Sequence, residues 1–249
     1  NHECGDLWDI DGDGKKLEVL PITQPTNWFE VGDKGMVKHV ISKKKSIWGG
    51  GVGDVNGDGR PDIIRPNAWF EAPADLRKGK WIEHPLALGH MKEGKADHTP
   101  QIHVYDVNCD GLNDLITSSA HKYGIFWYQQ IRTGKKITWK QHVIDKSWSQ
   151  AHAIALGDLD GDGDLDMVIG KRMFAHNGKD PGAQDPPGLY WYEIERGKTP
   201  KWTKHIISYK KGVAAGLSIP LIDIDGDGDL DIVVTGKLGG PVLFENLRK

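Results

Sequence analysis

Apolar residues along this chain recur in short runs, and clusters of Gly, Asp, Asn and Pro stand between the runs. Such a pattern predicts β-strands separated by turns. GGGVGDV, QIHVYDV, AHAIALGDL and LSIPLIDI each lead into an acidic loop, whereas PDIIRP, NDLITSS, LDMVIG and LDIVVTG each follow one. An aromatic strand comes next: Trp28-Phe29, Trp69-Phe70, Trp127-Tyr128, Trp191-Tyr192 and, last, Phe244. A fourth strand reads Met36-x-x-His39, Trp81-x-x-His84, Trp139-x-x-His142 and Trp202-x-x-His205. With these strands labelled a, b, c and d, the cycle then restarts. No stretch of useful length carries the 3.6-residue period of an amphipathic helix, so the chain is expected to be all-β.

The acidic loop marks the repeat most clearly. It occurs five times: Asp9-Ile-Asp11-Gly-Asp13-Gly, Asp54-Val-Asn56-Gly-Asp58-Gly, Asp106-Val-Asn108-Cys-Asp110-Gly, Asp158-Leu-Asp160-Gly-Asp162-Gly and Asp223-Ile-Asp225-Gly-Asp227-Gly. A further acid closes each copy, at Glu18, Asp62, Asp114, Asp166 and Asp231. The copies begin 45, 52, 52 and 65 residues apart, the spacing of a four-stranded propeller blade. The fold expected is therefore a β-propeller of four-stranded blades with five repeats visible, occupying residues 1–249 as a single domain. Strand d occurs only four times, because the sequence stops at LFENLRK, so the last blade is expected to lack its outer strand. Three explanations of that edge stand open: blades missing from a larger ring, a further domain, or self-association through the unpaired edge.

Alternating carboxylates at loop positions 1, 3, 5 and 9 suit a hard cation that takes several oxygen ligands, and the glycines let the loop curl around it. Up to five structural Ca2+ sites are expected, strongest in the all-Asp copies and weaker where Asn56 and Asn108 replace an acid. An EF-hand needs a Glu at loop position 12, where these copies have Leu20, Arg65, Thr117, Ile169 and Val234. Dependence on weak exposed calcium loops favours a calcium-rich extracellular or periplasmic setting.

Composition adds several exclusions. At 249 residues with 38% hydrophobic side chains the chain can bury a sizeable core. No apolar run reaches bilayer length, so no membrane span is expected, and the opening NHECGDLWDI has no charged-then-apolar leader. The two cysteines, Cys4 and Cys109, make neither a disulfide scaffold nor a zinc spacing. The net charge of -3 hides an asymmetry, since more than half of the 35 acids fall within the five loop segments. The remaining surface is basic, which either favours an anionic ligand or reflects scattered solubilising lysines. GGGVGD opens a strand and not a helix, so nucleotide binding is not expected, nor is a nucleic-acid partner.

Strands in a blade alternate direction, so the d-to-a and b-to-c connections share the face opposite the acidic loops. Unusual polar residues collect there. The d-to-a connections supply His98, Gln101, Gln150 and His152; the b-to-c connections supply Arg65, Asn67, His121, Lys122, Tyr123, Lys171, Arg172, His176, Asn177, Asp180 and Lys237. His39, His84, His142 and His205 recur at one place in strand d and are read as packing features. His98, His121, His152 and His176 have no such repeat logic. Neutral imidazoles beside Asp180 suit either a second, zinc-like metal or general acid and base work. Lys171, Arg172 and Lys237 suit a substrate carboxylate or an enolate. The insertion from Lys171 to Gly188, containing RMFAHNGKDPG, reads as a lid or pocket wall.

The DxDGDGxxD repeats resemble the FG-GAP and VCBS repeats of β-propellers. HTPQIHVYDVN, SSAHKYGIFWY, SQAHAIALGDLDGDGDLDMVIGKRMFAHNGKDPG and TGKLGGPVLFEN are similar, more narrowly, to the propeller domain of the aldos-2-ulose dehydratase family and its bacterial relatives. That resemblance implies a seven-bladed ring and a carbohydrate partner. It further implies a lyase or dehydratase acting on a keto-sugar or uronate, with His152 or His121 abstracting a proton. The fungal enzyme's cupin domains have no counterpart in this sequence. A non-catalytic module that binds carbohydrate or protein is the alternative.

Overall fold

The computed structural model describes residues 5–15, 17–22, 24–90, 94–236, 238 and 240–248. The chain is all-β. Its first sheet runs in the order β1 (Gly5–Trp8), β2 (Glu18–Pro21), β3 (Thr26–Gly32) and β4 (Gly35–Ser42). The second contains β5 (Gly51–Gly53), β6 (Asp62–Arg65), β7 (Ala68–Glu71) and β8 (Ile82–Pro85), and the third β9 (His103–Tyr105), β10 (Asp114–Ser118), β11 (Tyr123–Thr133) and β12 (Lys136–Ser149). The fourth contains β13 (Ala151–Gly157), β14 (Asp166–Lys171), β15 (Gly188–Glu195) and β16 (Lys201–Tyr209). Among the described residues the fifth has three strands, β17 (Leu221–Ile222), β18 (Asp231–Val234) and β19 (Val242–Phe244). These antiparallel meanders are the blades of a β-propeller, and strands a to d fall where the sequence repeat puts them.

The chain divides into two compact units. The first comprises residues 1–106, 111–117 and 127–142; the second comprises 107–110, 118–126 and 143–249. In the first unit Ile10, Leu20, Trp28, Val52, Ile63, Ala68 and Phe70 form a buried core. In the second, Ala153, Leu159, Val168, Leu189, Ala215, Ile219, Ile232 and Val234 do so. The glycine run before β5 is explained by close packing: a Cβ on Gly51 would lie 1.8 Å from the Ile102 carbonyl oxygen.

One device recurs in four blades. Cross-strand register sets Trp28 against His39, Trp69 against His84 and Trp191 against His205. In each of these blades, and for Trp127 with His142, the rings stack at centroid distances of 4.1 to 4.3 Å. The outer nitrogen of each imidazole then meets the residue two past the tryptophan: Glu30, Glu71, Gln129 or Glu193, at 2.8 to 3.1 Å. Directly opposed aromatic pairs are the units that stabilise a sheet, so each histidine pins its outer strand in register. The strand-d histidines are packing residues.

The closing acid of each loop is equally regular. Asp62 accepts the Val55 and Ala72 amides, Asp166 those of Leu159 and Ile194, and Asp231 those of Ile224 and Asn246, at 2.8 to 3.2 Å. Glu18 receives the Ile10 amide in the same way. In three of the blades a buried carboxylate thus ties the loop to the end of strand c, whereas Glu18 accepts the Ile10 and Asp11 amides of its own loop. Burial raises the pKa of Asp62 to about 7 and that of Asp166 to about 6, against the lowering effect of the amides they accept.

Candidate functional site

The connections of the second unit bring most of the polar candidates together. His121, Lys122 and Tyr123 enter from the turn before β11, Gln150 and His152 from the start of β13, and Lys171 and Arg172 from the end of β14. A short 3-10 turn, Ala175–Gly178, brings in His176 and Asn177, with Asp180 just beyond. The His121 and His176 rings meet edge-on at 4.7 Å between centroids, and His121 and His152 lie 5.6 Å apart. His176 Nδ1 is 2.9 Å from Asp180 Oδ2. One donor atom from each of His121, His176 and Asp180 lies within 4.8 Å of the others.

Protonation follows from the contacts. Arg172 donates to His152 Nε2 at 3.0 Å, so that nitrogen is an acceptor and the ring is the neutral tautomer protonated at Nδ1. Burial and then the Arg172 charge hold His152 well below the usual histidine range. The ring is 1% exposed. A substrate therefore does not reach its Nε2 lone pair, and His152 positions Arg172 in place of the proton-abstracting role the resemblance implies. His121 is half-buried and His176 exposed, so these two imidazoles are the accessible ones of the cluster.

Lys171 has also turned inward. Its ammonium donates to Ser149 O, Ser149 Oγ and Gly182 O at 3.1, 3.0 and 2.8 Å, which occupies all three donors. Burial holds its pKa below the usual lysine range. It clips the 181–186 loop to the end of β12 and does not hold a substrate anion. Gly182 belongs at that clip: its φ is +67°, and a Cβ there would meet Ser149 Oγ at 2.2 Å.

Backbone strain concentrates in the same loops. Among the described residues six non-glycine positions have positive φ, and Gln150, Phe174, His176 and Asn177 are four of them. Each left-handed non-glycine residue costs roughly 1–2 kcal/mol, and such residues cluster where geometry serves function. Gln150 is fully buried, donates from Nε2 to Pro181 O at 3.2 Å, and leaves Oε1 without a hydrogen-bond partner. Lys122 contributes its carbonyl to the Gln150 amide, and the Tyr123 hydroxyl lies 3.4 Å from Asp185 Oδ2.

Four candidates belong to the first unit. His98 is exposed, 3.4 Å from Asp97, and Asn67 Oδ1 accepts the Ile47 amide. Gln101 is buried and receives Thr117 Oγ1 on its carbonyl. Arg65 is fully buried and donates to Pro21 O, Gly49 O and Thr26 Oγ1. It is a strut between strands, not a substrate contact. Lys237 lies outside the described residues.

In the acidic loops, carboxylates of Asp9, Asp11 and Asp13 converge within 4.8 Å, as do those of Asp158, Asp160 and Asp166 and those of Asp223, Asp225 and Asp227. Oxygen-only donor sets of this kind fit calcium. Where asparagine replaces the third-position acid, its amide donates to the fifth: Asn56 to Asp58 at 2.9 Å and Asn108 to Asp110 at 2.8 Å. Arginines answer other loop acids, with Arg60 on Asp58 and Arg77 on Asp11. The acidic period and the strands around it decide one comparison. Residues 106–169 match the FG-GAP-like repeat. The FG-GAP-like repeat runs from the third acidic loop through the fourth and includes His121, Gln150 and His152, while Lys171, Arg172, His176 and Asp180 lie beyond it. No curated protein matches the chain.

Proposed function

We propose that the chain is a carbohydrate-acting propeller that removes water or a glycosidic group from a keto-sugar or uronate by β-elimination. The observation that supports this best is the convergence of His121, His176, Asp180 and Arg172 on strained loops braced by buried polar residues. Asp180 orients the His176 ring and leaves Nε2 to take the proton next to the substrate carbonyl or carboxylate. The electron pair moves onto oxygen, beside the Arg172 guanidinium, which His152 steadies. Collapse of that enolate forms the carbon–carbon double bond and expels the leaving oxygen, which takes a proton from His121. No oxidant or reductant is needed.

The same donor set fits a zinc-like ion, held by His121, His176 and Asp180. Such an ion supplies Lewis-acid polarisation of a carbonyl oxygen. In the reading we favour, calcium fills the acidic loops and is structural, and the protein works outside the cytosol, where calcium is plentiful. The motif resemblance to the dehydratase family's propeller supports the substrate class.

The deciding experiment mixes calcium-loaded protein with keto-sugars and uronate polysaccharides and follows ultraviolet absorbance for a new conjugated double bond. Elimination predicts a rise that His176→Ala and Arg172→Met abolish, and that zinc restores after chelation if the metal arrangement operates. A flat trace with sugar binding intact by calorimetry would favour the non-catalytic module.

A further inference from the structure

Beyond the imidazole cluster, the second unit contains a cleft of about 520 Å3 whose walls include Trp148, Tyr190, Lys204, Tyr209, Ser147 and Asp185. Its volume falls within the range of small-molecule sites. We infer that this cleft is a subsite for a pyranose ring, adjoining the reaction centre; the inference rests on the carbohydrate reading above.

The walls are preorganised. Trp148 Nε1 donates to the Tyr192 hydroxyl at 3.0 Å, and that hydroxyl donates to Asp145 Oδ2 at 2.6 Å. Asp145 also receives Lys204 Nζ at 3.0 Å and the Ser147 amide at 2.6 Å. The ammonium is thereby held 4.2 Å from the Tyr190 ring centroid and 5.7 Å from that of Trp148. Every member of this chain is hydrogen-bonded before any ligand arrives, which reduces the ordering cost of binding.

The lining selects among ligand classes. Tyr209 is 39% exposed, whereas Trp148 and Tyr190 are 8% and 5% exposed, so Tyr209 is the aromatic ring a ligand reaches; the Lys210 ammonium lies 5.2 Å from its centroid, which leaves the opposite face for stacking. Lys204, Ser147 and Asp185 add a cationic donor, a hydroxyl and a carboxylate. A ring with one apolar face and a rim of hydroxyls satisfies both kinds of group. A fatty chain would desolvate the Lys204–Asp145 pair and the Asp185 carboxylate with nothing gained in return, and a phosphate would meet that carboxylate.

Position gives the subsite its role. Lys171 lines the cleft and clips Gly182, and the next residue, Arg172, belongs to the imidazole cluster. A ring seated here would hold the unreacting part of a sugar chain and fix the reacting part, which is how remote binding energy accelerates chemistry.

Calorimetric titration of calcium-loaded protein with trigalacturonate and with maltotriose tests this. Tyr209→Ala is expected to weaken binding of at least one probe by about tenfold, the worth of one aromatic stack, and Tyr209→Phe to stay within about twofold. Weakening confined to trigalacturonate assigns an anionic ring, and weakening of both assigns any pyranose. If the wild type binds a probe and Tyr209→Ala and Lys204→Met both bind it equally well while Arg172→Met does not, the subsite is overturned and the carbohydrate reading survives. If the wild type binds neither probe, the pyranose subsite is overturned, and the ultraviolet assay with keto-sugars decides the carbohydrate reading separately.

Discussion

Tyr192→Phe removes a single oxygen from the second unit, and the structure allows its effect to be worked out. The hydroxyl is buried, donates to Asp145 at 2.6 Å and accepts Trp148 Nε1 at 3.0 Å. Phenylalanine keeps the ring and its packing, so no cavity larger than one oxygen appears. A hydrogen bond to a charged group contributes about 1.5–3 kcal/mol, and the orphaned indole N–H adds about 1 kcal/mol, which gives a loss of about 3 kcal/mol. In a chain of this size that lowers Tm by about 6–12 °C. The pH dependence identifies the cause. Burial pushes the Asp145 carboxyl up, but hydrogen bonds from Tyr192, Ser147 and Lys204 outweigh it and hold the group at about 2. A depressed folded value means stability that is present above the ordinary carboxylate range and lost as pH falls through about 2. Removing Tyr192 lessens the depression, so the gap between wild type and variant narrows from pH 7 toward pH 2.5. Urea denaturation across that range is the assay. A loss below about 0.5 kcal/mol, or a gap independent of pH, would refute the reasoning.

Chelation should destabilise the fold if calcium fills the acidic loops, since ions that bind only the folded state stabilise it; an unchanged Tm in EDTA speaks against the sites. In EDTA, stability should fall as pH rises from 5 to 8, because Asp62 and Asp166 have folded values raised to about 7 and 6, and calcium should reverse that slope. Denaturation with and without calcium checks both signs. Arg65→Met should destabilise by about 3 kcal/mol, because Pro21 O and Gly49 O lose their donor; sugar binding per folded molecule should not change, and a selective loss of binding would return Arg65 to the site. Gly182→Ala should weaken the Lys171 clip, since its Cβ meets Ser149 Oγ and its φ is positive. The expected result is faster proteolysis within residues 179–187, with little change in global Tm.

What the sequence made legible was whatever repeats. Strand order, loop positions and the packing role of His39, His84, His142 and His205 follow from a motif seen four or five times. Even there one partner escaped notice: the Glu or Gln two residues past each tryptophan, which Trp28-Phe-Glu30, Trp69-Phe-Glu71 and Trp191-Tyr-Glu193 display openly. The spacing of the closing acid suggests a ligand; Asp62 and Asp166 also accept backbone amides, a second use that no spacing reveals, while Asp166 still converges with Asp158 and Asp160. The face assignment brought His121, His152, His176 and Asp180 together correctly. It does not tell inward from outward, so Lys171 suits an anion and Arg65 a substrate contact on sequence alone, whereas both turn into the protein. Long basic side chains can turn either way at a strand end, and neutral acceptors such as Gly182 O and Pro21 O decide the direction. Trp148, Lys204 and Tyr209 carried no motif, since their proximity arises only when β12 and β16 come together.

The repeat and the candidate site are physically linked. Each tryptophan–histidine stack and each closing carboxylate stabilises a blade from within its own strands and loop, independently of the b-to-c and d-to-a connections. Those connections are therefore free to adopt costly geometry. Phe174, His176 and Asn177 at positive φ, together with Gln150, represent roughly 4–8 kcal/mol of unfavourable backbone conformation, comparable with the whole stability of many domains. Strain of that size persists only where surrounding contacts overdetermine it. Here the Lys171 clip, the Gln150 bond to Pro181 O and the His176–Asp180 pair are those contacts. They are local to the loops, so loosening them should disturb the imidazole cluster long before the blades themselves give way.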